Sequence, residues 1–444
     1  MIKFAKNEFI ERRQQLLSKM QSNSICIVPS ATLLTRSRDT EFPFRQDSYF
    51  HYLCGFPEPD AWLILSNSAE YPLGLCVLFC QGKDPSVEMW QGRRIGPRVA
   101  KRQFGFDIVF DIEDLDERLL ELIDGHEQLY FALNEYPESE ERILDCLAQL
   151  RSAPRQSQSA PASLVDSRVL LDEMRLFKSP YEVNIMRRAA EISAQAHIKA
   201  MQFAHTGRFE YQLEAVLHHE FAMQGAKHPA YSTIVGCGDN ACILHYTENS
   251  DELKAGALVL IDAGCELQGY AADISRTFPV SGTFSAEQRK LYQLVLDAQM
   301  AAFDCIKPGS TVSKANRVVV EVITNGLLEL GLLQGTAAEN IEHQHYKAFF
   351  MHGVSHWLGL DVHDVGDYKI DGRDRPLASG MVLTIEPGIY IAHDAPVAKQ
   401  WRGIGIRIED NLLVTAGGHD VLTHGVPKEI EQIEALMAQR NVES

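Results

Sequence analysis

Two stretches in the C-terminal half repeat one short unit, and no other feature restricts the fold as much. Leu253-Lys-Ala-Gly256-Ala-Leu-Val-Leu-Ile-Asp262-Ala-Gly264 can be laid on Leu377-Ala-Ser-Gly380-Met-Val-Leu-Thr-Ile-Glu386-Pro-Gly388. The leucines, the first glycines, the carboxylates and the last glycines fall in register. Each copy reads as a glycine turn feeding a buried strand that ends in an acid. A match this short also arises by chance, but two such units point to a duplicated half-domain. Halves facing each other across a pseudo-twofold axis would bring Asp262 and Glu386 together.

Acids in such positions need neutralising. Asp262 closes Leu258-Val-Leu-Ile261, and Glu386 closes Val382-Leu-Thr-Ile385. Asp273 follows Gly269-Tyr-Ala-Ala272, and Glu409 stands between Gly405-Ile-Arg-Ile408 and Asp410-Asn-Leu-Leu-Val414. An unpaired buried carboxylate costs several kcal/mol, so each requires a cation or a proton. A local ion pair or a strand-end turn commonly explains one such acid, and Arg276, Arg402 and Arg407 could neutralise some of the four. Metal ions do so more compactly. A β-hairpin across Ala263–Tyr270 would carry Asp262 and Asp273 to one end.

Histidines form a second layer in the same half. His352-Gly-Val-Ser-His356-Trp-Leu-Gly359 is glycine-rich, His363 follows in Asp361-Val-His363-Asp364, and His245 lies upstream beside Tyr246. A lone histidine is more often a core or surface residue than a ligand. Four in polar, glycine-flanked turns are harder to dismiss. Four carboxylates and the imidazole of His356 would suit two divalent ions sharing a water, with Mn²⁺ favoured by the oxygen-rich set and Co²⁺ or Zn²⁺ as substitutes.

The rest of the chain sets the frame. At 444 residues it exceeds one ordinary domain. The stretch Arg151–Ser163 is rich in Ser, Gln, Pro and Ala and reads as an exposed loop near a domain boundary. Before it, apolar runs at Ser24–Val28, Ala61–Ser66, Leu75–Phe79 and Leu129–Leu133 alternate with helical patterns at Phe9–Met20 and Asp114–Ile123, as in an α/β domain. After it, Ser179-Pro180-Tyr181-Glu182 opens a long helix through Met201, and a second runs through Phe209–Gln224. The expected organisation is an α/β N-terminal domain, residues 1–172, and a C-terminal domain of two related halves, residues 173–444. A net charge of −18 opposes nonspecific binding to nucleic acid or anionic membrane. Nine cysteines without a Cys-x-x-Cys spacing, and a start lacking a signal-peptide run, suit a soluble cytoplasmic protein.

At the acids and histidines the sequence resembles the pita-bread metallopeptidases, the family of methionine aminopeptidase, prolidase and aminopeptidase P. The matching stretches are Ile261-Asp-Ala-Gly264, Asp273-Ile-Ser-Arg-Thr-Phe278, His352–Gly359, Asp361-Val-His-Asp364, Thr384-Ile-Glu-Pro-Gly388 and Ile406-Arg-Ile-Glu-Asp410. N-terminal stretches tip the resemblance toward the bacterial aminopeptidase P branch: Phe42-Pro-Phe-Arg-Gln46, Ser48–Leu53, Gly55-Phe56, Glu58-Pro-Asp-Ala61 and Glu88-Met-Trp90-Gln-Gly-Arg93. The resemblance implies a pita-bread C-terminal domain and hydrolysis before a proline in the second position of a peptide. It also implies a dinuclear metal site of Asp262, Asp273, His356, Glu386 and Glu409, with Asp273 and Glu409 bridging and Glu386 also the base. On the same footing, His352 and His363 bind the substrate carbonyl and His245 shuttles a proton or holds the proline side. Arg407 orients the ligands, and Tyr368 closes the proline pocket. Trp90 reaches the site from a neighbouring subunit of a homo-oligomer, a tetramer or dimer, whose N-terminal domain serves oligomerisation and substrate access. Alternatives are an Xaa-Pro dipeptidase (prolidase), a creatinase-like hydrolase and a non-catalytic peptide-binding protein on the same fold.

Overall fold

A computed structural model describes residues 5–152 and 158–439. Its contacts divide the chain into two compact units between Arg175 and Leu176. In the N-terminal unit, six strands form one mixed sheet in the order Ile108–Asp111, Leu75–Cys80, Trp62–Ser66, Ser24–Pro29, Gln128–Phe131, Ser163–Asp166. Ser24–Pro29, at its centre, pairs antiparallel with Trp62–Ser66 and parallel with Gln128–Phe131. Ser24–Pro29, Trp62–Ser66 and Leu75–Cys80 are buried along their whole length. Strands covered on both faces read as continuous apolar runs, which is how the sequence shows them. Leu119, Ile123, Leu147 and Leu150, from the helices Leu115–Ile123 and Pro137–Ser152, join Ile27, Val77 and Leu129 in one core.

The two edge strands were not among the expected runs. Ser163–Asp166 is half-exposed and adds parallel to Gln128–Phe131, so the loop before it belongs inside the N-terminal unit. Arg151 and Ser152 complete the helix Pro137–Ser152, and residues 153–157 of that loop fall outside the described residues. On the helix Lys6–Lys19, Arg12 and Arg13 are buried. They donate to the carbonyls of Tyr52 and Leu53, in the last turn of the helix Ser48–Cys54, where carbonyls have no partner within the helix.

In the C-terminal unit the duplication is visible in the elements. The helices Pro180–Phe203 and Glu210–Met223 contact each other, as do Ala286–Phe303 and Val312–Glu329. Ser179 caps the first of these with a reciprocal Glu182 contact, the capping box its sequence announces. One three-stranded sheet holds Ile234–Cys237, Leu258–Asp262 and Ser275–Pro279. Another holds Val382–Ile385, Asp410–Thr415 and Gly418–Val421. Each repeated unit thus supplies one strand of a small antiparallel sheet. Among the described residues no helix is long and apolar enough to cross a membrane.

Candidate metal centre

Register brings the first two acids together. Asp262 pairs with Ser275, and the ladder continues to Glu266 opposite Ala271 and Leu267 opposite Tyr270. The expected hairpin is present, with its tip at Gln268-Gly269, both in the left-handed region that such a turn requires. Asp273 therefore lies across from Gly264, two residues beyond Asp262, and the acids are diagonal neighbours on one face. A side chain at Gly264 would run into the Ala272 carbonyl, so only glycine permits this close approach.

The second pair comes from the other sheet. Ile385 pairs with Asp410 and Gly388 with Arg407, which places Glu386 and Glu409 on facing strand ends. The glycine-rich stretch runs alongside as an irregular strand: Leu358 N donates to Val382 O (3.0 Å), Thr384 N to His356 O (2.9 Å) and Glu386 N to Val354 O (2.9 Å). His356 is thereby laid against the acids, with Nε2 3.4 Å from both Asp273 Oδ2 and Glu386 Oε1. Ligand atoms of Asp273, His356 and Glu409 lie within 4.8 Å of one another. Asp262 and Glu386 line the same cavity of about 440 Å³, as the facing halves require.

The electrostatics show an excess of acid. Burial pushes Asp262 upward, but the Arg407 guanidinium (2.7 Å) and the Tyr231 hydroxyl (2.6 Å) outweigh it and hold the acid low. Burial and then the Asp262 charge raise Asp273, burial lifts Glu386 to about 7, and burial with three neighbouring acids carries Glu409 well above the carboxylate range. Burial works against a charge on His356, yet Asp273 and Glu386 raise it to about 9. Glu409 Oε2 accepts from Ser275 Oγ (2.8 Å), while its buried Oε1 has no hydrogen-bond partner among the described residues. A buried, unpartnered carboxylate oxygen amid raised acids is what a hard-cation site shows before its charge is supplied. The donors fit divalent metal.

His245, His352, His363 and Arg407 line the cavity with the five donors. His352 Nε2 is 2.8 Å from the Tyr390 hydroxyl, and burial lowers it to about 4, so its ring is neutral. Burial, helped by His356, also lowers His363, whose ring centroid is 4.2 Å from that of His356. Arg407 holds Asp262, the Tyr390 hydroxyl (3.0 Å) and Ser275 Oγ (2.9 Å). Tyr368 stands apart from these four. It is outside the cavity lining, its ring stacks on Trp357 at 5.1 Å, and its hydroxyl accepts from Trp357 N (2.9 Å). The stacking and this hydrogen bond tie it to Trp357, the neighbour of His356 in the histidine loop. Trp90 is on the N-terminal unit, 87% exposed, on the helix Pro85–Gln91.

Tyr231 was missed by sequence reasoning. Its hydroxyl lies 2.6 Å from Asp262 Oδ1 and 2.5 Å from Asp273 Oδ1. A phenol has one proton to give, so Tyr231 donates to one of the two acids at a time and ties them together. The only signal was a tyrosine in a polar turn after His228-Pro229.

Comparisons with known proteins agree with this geometry. Residues 184–416 match the model of metallopeptidase family M24, and residues 9–130 match the aminopeptidase P N-terminal domain. The chain is 47% identical to the Xaa-Pro aminopeptidase of Escherichia coli over 98% of its own length and 99% of that protein. It superposes on an aminopeptidase of Pseudomonas aeruginosa with a TM-score of 0.97 at 51% identity, covering 99% of both chains. A zinc-substituted E. coli aminopeptidase P in complex with product gives 0.96 at 46% identity, covering 98% of this chain and 99% of that one. With both its N-terminal domain and its C-terminal unit matched, the chain belongs to the aminopeptidase P group of metallopeptidase family M24.

Proposed function

We propose that the protein is a metal-dependent Xaa-Pro aminopeptidase, which removes the first residue from peptides whose second residue is proline. The observation that carries this is the convergence of five metal donors and three histidines on one cavity, in a chain similar to such an enzyme over nearly its whole length. The target bond is a tertiary amide without an N–H, and its ring fixes the backbone, so a dedicated site is needed to hold it. Ile234, Leu244 and Val362 give the cavity an apolar wall suited to that ring.

Asp262, Asp273, His356, Glu386 and Glu409 would hold two divalent ions, Mn²⁺ by the hardness of the donors, with Co²⁺ or Zn²⁺ as substitutes. When bound, the ions supply a Lewis acid for the substrate carbonyl and acidify the attacking water. The chain does the rest. Glu386 takes the proton of that water and passes it to the proline nitrogen, which leaves as a secondary amine when the C–N bond breaks. His363 presents an N–H donor to the carbonyl oxygen as negative charge develops on it, while neutral His352, whose one N–H faces the Gly353 carbonyl (2.7 Å), contacts the substrate as part of the cavity wall. His245 relays the proton or holds the proline side. Arg407 orients Asp262.

The N-terminal unit, residues 1–172 by sequence, would serve oligomerisation and substrate access in a homotetramer or dimer. The exposure of Trp90 on a helix with no buried residue supports a role for it at a neighbouring subunit. Nine free cysteines, eight of them buried, suit the cytoplasm. Incubation with an Xaa-Pro dipeptide and an Xaa-Pro-Xaa tripeptide tests the substrate. Release of the first residue from the tripeptide is expected; cleavage of the dipeptide alone would assign a prolidase, and turnover of neither a peptide-binding protein.

A further inference from the structure

Lys178 and Asp364 meet inside the C-terminal unit, Nζ to Oδ2 at 2.8 Å, with each side chain 1% exposed. Two charges removed from water persist only where their geometry repays the lost hydration, so such a pair fixes whatever carries it. Neither residue lines the cavity. Asp364 does follow His363, which lines it, and its backbone N–H donates to Trp357 O (3.0 Å) to close the turn between the two. On the other side, Lys178 N donates to Gly380 O (2.8 Å), at the turn that feeds the strand Val382–Ile385 and then Glu386. The 357–364 turn is thus tied at its start to that strand, through Leu358 N and Val382 O, and at its end, through Asp364 and Lys178, to the turn that feeds it. Gly359 leaves the room: a side chain there would collide with Asp364 Oδ2 and press on Lys178 Cε.

We infer that Lys178 is a positioning residue, which acts through Asp364 to hold His363 at the angle from which it reaches the substrate carbonyl. The inference rests on the role proposed for His363. A buried pair that served stability alone would lower the folded fraction without regard to His363. A pin on the turn makes its effect on turnover depend on that ring.

The test is a double-mutant cycle in the full-length, Mn²⁺-loaded enzyme: wild type, Lys178→Met, His363→Ala and both together. The measurements are kcat and KM on an Xaa-Pro-Xaa tripeptide, bound metal by elemental analysis, and folding by near-UV circular dichroism. Lys178→Met is expected to lower kcat about 10²-fold, the scale of a misplacement near 1 Å, with metal content unchanged. In the His363→Ala background the same substitution should lower kcat by less than about twofold, because the two act as one unit. An equal fall in both backgrounds, or an unchanged kcat in folded Lys178→Met, overturns the inference. If Lys178→Met does not fold, Lys178→Met/Asp364→Leu removes both charges and takes its place in the cycle under the same criteria. Wild-type turnover by His363→Ala alone removes the role of His363, and this inference with it. Impaired His363→Ala without coupling removes only the inference.

Discussion

Glu409 and Asp410 are neighbours in sequence and equally buried, at 1% and 0% exposure, yet their surroundings are opposite in kind. Successive residues of an extended chain face opposite sides, so one acid enters the cavity and the other the layer behind it. Asp410 is surrounded by donors: Arg276 (2.7 Å), Lys428 (2.9 Å), Thr423 (2.6 Å) and Gln299 (3.1 Å). Burial pushes it up, but the two cations outweigh burial and hold it below the usual range. Glu409 has one hydroxyl donor, an unpartnered oxygen and three acids nearby, and it is raised. A buried acid neutralised by the chain is structural. One left in surplus asks for a cation from outside.

Substitution at the two positions should therefore give opposite outcomes. Glu409→Ala should remove metal and activity together, by more than the 10–100-fold typical of a residue that only orients a ligand. Elemental analysis beside a peptide assay checks this, and an active, metal-replete variant would break the contrast. Asp410→Ala should instead cost about 3–5 kcal/mol of stability, since Arg276 and Lys428 are left buried without their partner. Urea denaturation reads that loss, and the molecules that remain folded should still bind metal.

The contrast sharpens with pH. In metal-free protein His356 is held up at about 9. A raised pKa gives stability that is complete below the ordinary histidine value and is lost as pH rises through the folded one. The metal-free protein should thus lose about 3 kcal/mol between about pH 6.5 and 9. Glu386, raised to about 7, adds in the same direction at lower pH. Metal-loaded protein should show no such fall, as its His356 is a neutral ligand; parallel profiles with and without metal would count against the site. The smallest effect belongs to Tyr231→Phe. It removes the hydroxyl between Asp262 and Asp273 and should weaken metal binding about tenfold with stability nearly unchanged, read by titration calorimetry.

What the sequence disclosed follows from which interactions are local. The acids of the site stood out because each ends or interrupts an apolar run, and that conflict is visible without coordinates. The buried central strands and the Ser179 cap were legible for the same reason. Tyr231 was not, since its partners lie 31 and 42 residues away and a turn has no period to betray it. The Lys178–Asp364 pair spans 186 positions, and each member alone looks like an ordinary surface charge. Tyr368 was put forward by its place after the His363 turn, while its stacking on Trp357 had no sequence signal. The edge strands Ile108–Asp111 and Ser163–Asp166 escaped because neither is fully buried.

The central claim is that the acid surplus around Glu409 exists to hold divalent metal for hydrolysis before proline. It is tested by stripping the protein of metal, titrating Mn²⁺ back and following bound metal and tripeptide cleavage in one series. The expected result is no turnover in the stripped protein and activity that rises as two ions per chain are taken up. Undiminished cleavage in metal-free protein, or full metal uptake with the tripeptide left intact, would contradict it.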